Sequence, residues 1–318
     1  MRGGKSLKKL AWREYLPMAA TIAMWAVAVA AIGHADAARL LAATVFARAI
    51  QLLLKLTTTA ALKQRIGAPP EVQRQARRYV FNLQLAALAP MLVLVALLTE
   101  VMQSIGQPLI AAFLPLLALG MPARVLRFTN LRFNSPNYRL ALATGGLAMM
   151  SIGWVGGWHA AAFGLAFGAR EWIALLLAQL WPGKLSPPKV GTAEPLHFAE
   201  VARHSSALGR RLLTYRLSKT VLTIFGPFGS AAARTGRGLN WHHKIEPYLP
   251  HHLGGFILFS VATIGGAVFL GLRSDEPAAM VGSAGLFQIG AVTANVILLW
   301  RYLPPKGTVV IDDDDDDS

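Results

Sequence analysis

Eight apolar segments, 16 to 26 residues long, limit the possible folds of this chain more than any other feature of its sequence. About 20 helical residues cross the hydrocarbon core of a bilayer. Charged residues make up only 15% of the chain, whereas soluble domains carry about 25%. The sequence therefore predicts an all-α, polytopic transmembrane helix bundle of about eight spans, at 15–33, 37–62, 80–99, 108–123, 140–158, 160–181, 253–272 and 279–300.

Basic residues are distributed unevenly among the connections between these segments. Lys and Arg precede the first segment, follow the second and the fourth, and recur through residues 184–244 after the sixth. Cytoplasmic loops are the ones enriched in Lys and Arg. The pattern predicts that both termini are cytoplasmic, in a bacterial inner membrane. The apolar stretch at 217–233 opposes this alternation if it spans, and it contains Lys219 and a Gly-Pro break, so we expect it to be interfacial or re-entrant.

These features divide the chain into four parts. Residues 1–181 are predicted to form a six-helix membrane lobe, 182–250 a basic cytoplasmic linker, 251–303 a two-helix membrane hairpin, and 304–318 a disordered acidic tail. The first helix also has an alternative interpretation as a cleaved signal peptide, because basic residues precede it and Ala35-Asp36-Ala37 follows it. Cleavage there leaves the orientation of the other spans unchanged.

Polar residues recur at helical spacing within the second apolar segment. They are Thr44, Arg48, Gln51, Lys55 and Thr58. A helix over 37–62 places them on one face, and each Arg or Lys at bilayer depth costs about 2.5–3.5 kcal/mol on insertion scales. We interpret the stripe as the wall of a cationic cavity that binds phosphate or pyrophosphate. The alternative for Lys55 is that its side chain extends to the lipid headgroups.

Arg170 and Glu171 lie next to each other near the middle of the sixth segment. Adjacent residues on a helix do not face each other, so each is expected to find a partner on another helix. Arg48 or Lys55 is the natural partner for Glu171, and we include Arg170 and Glu171 in the predicted cavity. One interpretation is a salt bridge that rearranges during transport, and the other is a static ion pair between helices.

Four arginines follow the fourth segment: Arg124, Arg127, Arg132 and Arg139. We expect them to contact anionic lipid headgroups, an interpretation that competes with the simple distribution of cytoplasmic charge. His242-His243 and His251-His252 lack the spacing of a zinc site, and histidines beside Trp241 and Tyr248 are expected at the membrane interface. We predict no metal and no cofactor.

Enzyme signatures are missing from the sequence. It contains no cysteine, no Walker loop, no G-x-S-x-G and no H-E-x-x-H. We therefore expect no enzyme activity. An enzyme acting on a lipid at the cytoplasmic face through residues 203–244 is a third and weaker hypothesis, which a metal dependence centred on His242 and His243 would favour.

Several motifs occur along residues 15–181 in a characteristic order. They are Gly33-His34-Ala35-Asp36 after the first helix, Ala60-Ala61-Leu62-Lys63-Gln64-Arg65 after the second, Gly106-Gln107-Pro108 before the fourth, and Ser151-Ile152-Gly153-Trp154-Val155-Gly156-Gly157 in the fifth. In this order they resemble the N-terminal half of polysaccharide flippases of the multidrug/oligosaccharidyl-lipid/polysaccharide exporter superfamily.

The resemblance implies a flippase that moves a lipid-linked glycan or other anionic lipid by alternating access, with Arg48 and Lys55 lining the cavity. Such flippases have about twelve to fourteen spans in two lobes, and no second lobe is recognisable after residue 182. The expected partners are membrane lipids, an anionic lipid-linked substrate, and a second copy or a partner membrane subunit; no nucleic acid is expected. The alternative hypothesis is a non-transporting structural or accessory subunit of a membrane complex.

Overall fold

A computed structural model describes residues 4–129, 136–180, 193–225, 253–273 and 275–303. Within these residues the chain is all-helical, which confirms the predicted fold class. The helices are α1 Gly4–Ile32, α2 His34–Leu53, α3 Thr59–Lys63, α4 Pro70–Ser104, α5 Pro108–Ala118, α6 Met121–Thr129, α7 Pro136–Val155, α8 His159–Leu180, α9 Phe198–Phe225, α10 Leu253–Arg273 and α11 Pro277–Leu298, followed by a 3₁₀ turn at Trp300–Tyr302.

Five helical segments of the described chain are long and apolar enough to cross a membrane, and they indicate a multi-pass membrane protein. They are Pro70–Ser104, Pro108–Thr129, Ala161–Leu180, Leu253–Arg273 and Ala278–Leu298. In the first and fourth of these, only 17% and 22% of the span residues are buried, as expected of helices that face lipid.

The other three predicted spans are not among these five. The apolar part of α1 is the shorter segment Ala19–Ile32. The second predicted span does not remain helical, because α2 ends at Leu53. The fifth corresponds to α7, whose first turn carries polar residues such as Asn137 and Arg139. Five of the eight predicted segments therefore correspond to helices that are long and apolar enough to cross a membrane.

The chain divides into two compact units, and each is discontinuous in sequence. Unit 1 comprises Met1–Leu40 and Ala96–Ser186, and unit 2 comprises Leu41–Val95 and Pro187–Ser318. Helices α2 and α4 therefore contribute residues to both units. The division differs from the predicted parts, because most of the second and third predicted spans belong with the C-terminal region rather than with residues 1–181.

Unit 1 is built around close packing of α8 against α5 and α7. A Cβ atom added to Gly164 or Gly168 would lie 2.6 Å from Leu116 Cδ1 or 2.2 Å from the Leu116 carbonyl oxygen. These two glycines, four residues apart, are the small-xxx-small pattern that brings membrane helices together. Aromatic rings fill the adjacent space, with Phe163 in contact with Trp25, Phe113 and Phe167.

Unit 2 contains a helical hairpin, α10 and α11, and the long helix α9 packed on α11. Ser260 donates a hydrogen bond across the hairpin to the Gly290 carbonyl oxygen at 3.2 Å. Its apolar core brings α2, α9, α10 and α11 together through Leu52, Leu213, Phe256, Ile289 and Val292. The stretch predicted as a linker thus supplies a 28-residue helix, Phe198–Phe225; residues 226–252, including His242, His243, His251 and His252, lie outside the described residues.

Arg65, in the turn after α3, binds the start of α9 through hydrogen bonds from all of its side-chain N–H groups. Arg65 is 2% exposed and donates five hydrogen bonds, two to the Glu200 carboxylate at 2.7 and 2.8 Å and three to backbone carbonyl oxygens. A guanidinium has five N–H donors, so none is left for another ligand. Arg65 therefore has a structural role in unit 2.

Candidate functional site

The helix predicted to carry the polar stripe is interrupted in the middle of that stripe. α2 ends at Leu53, Leu54 forms a turn, and the four residues from Lys55 to Thr58 are not helical. Thr57, Thr58 and Thr59 are β-branched and have low helix propensity. The prediction of one helix over 37–62 is therefore wrong, and Lys55 and Thr58 do not continue the face formed by Thr44, Arg48 and Gln51.

The backbone groups freed by the break are bound by polar side chains from three other helices of unit 2. Asn295 of α11 donates to the carbonyl oxygens of Leu53 and Lys55 at 3.1 and 3.4 Å. Gln84 of α4 donates to the Leu56 carbonyl oxygen at 3.0 Å. Buried backbone groups require such partners, so these contacts stabilise the unwound conformation.

The third helix that supports the break is α9. The Thr57 amide donates to the Ser205 hydroxyl oxygen at 2.6 Å, and Ser205 in turn donates to the Val201 carbonyl oxygen at 2.7 Å. The buried Thr57 hydroxyl has no hydrogen-bond partner among the described residues. We call Leu54 to Thr58, together with Gln84, Ser205 and Asn295, the helix break.

Lys55 lines a narrow crevice beside the helix break. The crevice has no room for a water molecule, and its walls are Leu52, Lys55, Ser205, Leu208, Gly209, Leu212, Val292 and Asn295. Gly209 permits this close packing, since a Cβ atom there would lie 3.0 Å from Asn295 Oδ1. Three polar side chains, Lys55, Ser205 and Asn295, thus line the crevice together with apolar ones.

The other residues of the stripe are not gathered at this crevice. Thr44 is buried and donates to the Leu41 carbonyl oxygen one turn earlier, at 2.7 Å. Arg48 and Gln51 are half-buried on α2. Thr58 is buried and accepts a long hydrogen bond from Gln84 at 3.5 Å. Of the five predicted positions, only Lys55 lines the crevice.

A second polar group lies in unit 1 and centres on Glu171 of α8. Arg124 of α6 approaches its Oε1 atom through both Nε and Nη2, each at 2.7 Å. Tyr138 of α7 donates to Oε2 at 2.6 Å. The sequence predicted an interhelical partner correctly but named Arg48 or Lys55, and the partners of Glu171 are Arg124 and Tyr138.

Two further arginines pack against aromatic rings of α7 and α8. The Arg127 guanidinium lies 4.3 Å from the centre of the Tyr138 ring, and that of Arg170 lies 4.1 Å from the centre of the Phe167 ring. Both interact electrostatically with Glu171, and both are buried. We call Arg124, Arg127, Tyr138, Arg170 and Glu171 the charge cluster.

The arginines predicted in a loop at the headgroups have a different setting. Arg124 and Arg127 lie on α6. Arg124 binds the Glu171 carboxylate. Arg127 packs against the Tyr138 ring and does not have the exposure to lipid headgroups that the sequence predicted. Arg139 lies half-buried on α7. Arg132 falls outside the described residues.

The turn between α5 and α6 shapes the charge cluster. A Cβ atom on Gly120 would lie 3.0 Å from Glu171 Cγ, so the absence of a side chain there lets α8 approach. Trp172 fixes the same turn by donating from Nε1 to the Leu119 carbonyl oxygen at 2.8 Å. Arg124 then follows one turn into α6, where it reaches Glu171.

Comparisons with known proteins identify no relative of this chain: no protein-family model, curated protein or solved structure matches it. Among the described residues, no group of three or more His, Asp or Glu side chains is placed to hold a metal ion. The functional argument therefore rests on the helix break and the charge cluster themselves.

Proposed function

We propose that this protein is a membrane transporter of the flippase kind, which moves a lipid-linked glycan or another anionic lipid through a cationic cavity. The helix break is the observation that supports this proposal. Transporters place their substrate sites at interrupted helices, where irregular backbone lines a cavity. Here the interruption carries a lysine, and its neighbours include the Ser205 hydroxyl and the Asn295 amide.

The chemistry of the helix break favours an anionic substrate. A lysine ammonium binds phosphate as a point charge, while the Thr57 hydroxyl, which has no hydrogen-bond partner among the described residues, can donate a further hydrogen bond. Because the crevice beside Lys55 is too narrow even for water, the proposal requires that α9 and α11 separate from the break before substrate enters. Lys55 would then supply the positive charge at the break, with Arg48 and Gln51 placed further along α2 as the rest of the proposed cavity wall.

Lipid movement in reconstituted vesicles tests this function. Protein in phosphatidylcholine vesicles is supplied with NBD-labelled undecaprenyl phosphate, and dithionite quenching reports how fast the label reaches the outer leaflet. We expect Lys55→Gln and Arg48→Ala to slow this movement by about tenfold or more, equivalent to about 1.4 kcal/mol. The matched control is Arg74→Gln, which removes an exposed cation from α4 and should leave the rate unchanged.

The proposal fails if the wild-type protein moves the labelled lipid no faster than empty vesicles. It also fails if Lys55→Gln and Arg48→Ala both retain the wild-type rate while inserting normally.

The alternative is a non-transporting structural or accessory subunit of a membrane complex. Two observations favour it: Arg65 has all its donors occupied by the Glu200 carboxylate and nearby carbonyl oxygens, and the crevice at Lys55 has no room for water. Under this alternative, substitutions that remove a charge damage assembly and do not change lipid movement. Native mass spectrometry in mild detergent distinguishes the two: a homodimer carrying anionic lipid supports transport, and unrelated protein subunits without such lipid support the accessory role.

A further inference from the structure

We propose that Gln288, in the middle of α11, binds the phosphate headgroup of the transported lipid once α9 has moved away from α11. The inference rests on the transport function proposed above and extends the binding site beyond the helix break. Two observations support it: the Gln288 amide is buried without a hydrogen-bond partner among the described residues, and the crevice at Lys55 runs toward this amide.

Gln288 lies at the centre of a helix that is apolar enough to cross a membrane. It is ten residues from each end of the segment Ala278–Leu298 and only 5% exposed. Its Nε2 atom is buried and has no hydrogen-bond partner within the part of the chain that the structure describes. By contrast, Ser283 and Thr293 on the same helix donate to carbonyl oxygens at 2.6 and 2.9 Å. Because a buried amide donor without a partner destabilises a membrane helix, Gln288 is placed for a ligand and not for packing.

Gln288 shares a face of α11 with Asn295, the residue that binds the backbone of the helix break. Seven residues separate the two, which is close to two helical turns and about 10 Å along the helix axis. Val292, between them, lines the crevice together with Asn295 and Lys55. Gln288 is therefore one turn beyond the last residue of α11 that lines the crevice.

Helix α9 forms the opposite wall of the crevice. Its Ser206 donates to the Tyr302 carbonyl oxygen at 3.1 Å, and Leu213, further along α9, shares an apolar cluster with Val292, which is earlier on the chain than Tyr302. The two helices therefore run antiparallel along the crevice. Their separation, which entry of substrate at the helix break requires, gives a ligand a route along α11 toward Gln288.

The groups along this route suit a lipid that carries a phosphate. Lys55 supplies positive charge at the helix break, and the Thr57 hydroxyl and the Gln288 amide both lack hydrogen-bond partners among the residues described. Each of these two groups can donate to a phosphate oxygen. The crevice walls between them suit the adjoining hydrocarbon tail, because they consist largely of Leu52, Leu208, Leu212 and Val292.

Thiol accessibility tests whether the crevice opens. The chain contains no cysteine, so Val292→Cys introduces a single thiol into the crevice wall. With the anionic reagent sulfonatoethyl methanethiosulfonate on both sides of phosphatidylcholine vesicles, we expect Val292→Cys to react at least about tenfold faster than Val261→Cys, because the reactive thiolate forms only in contact with water. Val261 is the matched control: it is 65% exposed on α10, a helix that faces lipid, and it follows Ser260, which donates to the Gly290 carbonyl oxygen near the level of Val292.

Protection by undecaprenyl phosphate tests the role of Gln288. At about four times its Kd, this lipid should slow the reaction of Val292→Cys about fivefold, and undecaprenol, which has no phosphate, should not. Adding Gln288→Leu should weaken binding about tenfold, so that protection at the same concentration falls to about 1.4-fold. Gln75→Leu, the same substitution at an exposed position of α4, should leave protection intact.

Two further measurements define the site. Thermal unfolding of Gln288→Leu should match wild type, since the amide has no hydrogen bond to lose among the described residues, whereas loss of a purely structural amide would lower stability. Inorganic phosphate in place of the lipid identifies the source of the headgroup: protection by both means that free phosphate also enters, and protection by the lipid alone means that the tail is needed for binding.

If Val292→Cys does not fold, Leu212→Cys places the thiol on the α9 wall of the same crevice. The proposal is overturned if the thiol in folded protein reacts no faster than Val261→Cys, or if Gln288→Leu keeps the full protection by undecaprenyl phosphate. Because the readout is accessibility and binding, it is separable from lipid movement. Labelled lipid that moves while Gln288→Leu keeps its protection removes Gln288 from the route and leaves the transport function standing.

Discussion

The charge cluster of unit 1 and the helix break of unit 2 both enclose polar groups among apolar helices, but they stabilise these groups by different means. In the charge cluster, charged side chains of α6 and α8 pair with each other, and Tyr138 of α7 donates to the carboxylate. In the helix break, neutral amide and hydroxyl groups from α4, α9 and α11 bind backbone atoms of one unwound segment. The first depends on charge compensation, and the second depends on the placement of short hydrogen bonds.

This difference predicts how each region responds to change. Removing one member of a buried ion network leaves an uncompensated charge, which costs about 3–5 kcal/mol. A hydrogen bond between membrane helices contributes on average about 0.6 kcal/mol, because alternative partners are available in the unfolded state. The charge cluster should therefore be sensitive to single substitutions, and the helix break should weaken in small steps.

Glu171→Ala is expected to have the largest effect on stability. It leaves the Arg124 guanidinium without the carboxylate that it binds, so we expect the free energy of unfolding to fall by about 3–5 kcal/mol. Thermal unfolding in detergent measures the change. Glu100→Ala, which removes an exposed carboxylate from α4, should change stability by less than about 0.5 kcal/mol. Equal effects of the two substitutions would contradict the role of the charge cluster.

Gly168→Ala tests whether close helix packing supports the charge cluster. The added Cβ atom would lie 2.2 Å from the Leu116 carbonyl oxygen, so α5 and α8 must move apart, at a cost of about 1–3 kcal/mol. Gly265→Ala on α10 is the matched control, since a Cβ atom added there would meet no other atom within 4 Å. Thermal unfolding of both variants measures the change. If Gly168→Ala is as stable as wild type, α5 and α8 can adjust to the added methyl group, and their close packing does not support the charge cluster.

Asn295→Ala removes two hydrogen bonds from the helix break at once. The Leu53 and Lys55 carbonyl oxygens lose their donor, and we expect a loss of about 1–2 kcal/mol in the free energy of unfolding. Asn82→Ala on α4 removes an exposed amide and should have little effect. Hydrogen exchange of residues 54–58 should accelerate in Asn295→Ala only; unchanged exchange would show that other contacts hold the unwound segment.

Ser205→Ala is expected to have the smallest effect. It removes a single acceptor from the Thr57 amide, so the expected cost is about 0.6 kcal/mol. Ser104→Ala, at an exposed serine at the end of α4, is the control. A loss from Ser205→Ala as large as that from Glu171→Ala would remove the distinction between the two regions.

The helical fold was predictable from sequence because membrane spans are defined by local composition. Runs of apolar residues with few charges identify α4, α8, α10 and α11 without any knowledge of their partners. The interruption of α2 was predictable only in part: three consecutive threonines weaken a helix, but the preceding leucines favour one. What decides the outcome is Gln84, Ser205 and Asn295, which lie up to 242 positions away in the sequence.

The candidate sites show the same limit. An intramembrane Glu171 indicates that a partner exists, but the sequence does not say which arginine reaches it, and Tyr138 carries no signal of its own. The pairing is set by the turn at Leu119 and Gly120, which directs Arg124 toward α8. One missed signal was local, because Gly164 and Gly168 form a small-xxx-small pattern that identifies the α5 contact surface of α8.

The interleaving of the two units in sequence has a consequence for biosynthesis. Arg65 and Glu200 are separated by 135 residues, and Leu53 and Asn295 by 242. At about 5–20 residues per second, the ribosome reaches Glu200 roughly 7–27 s after Arg65 and Asn295 later still. The segment that supplies most of unit 1 is synthesised within this interval, so unit 1 can assemble first. During that time the carbonyl oxygens of Leu53 and Lys55 have no Asn295 donor, because α11 has not yet been synthesised.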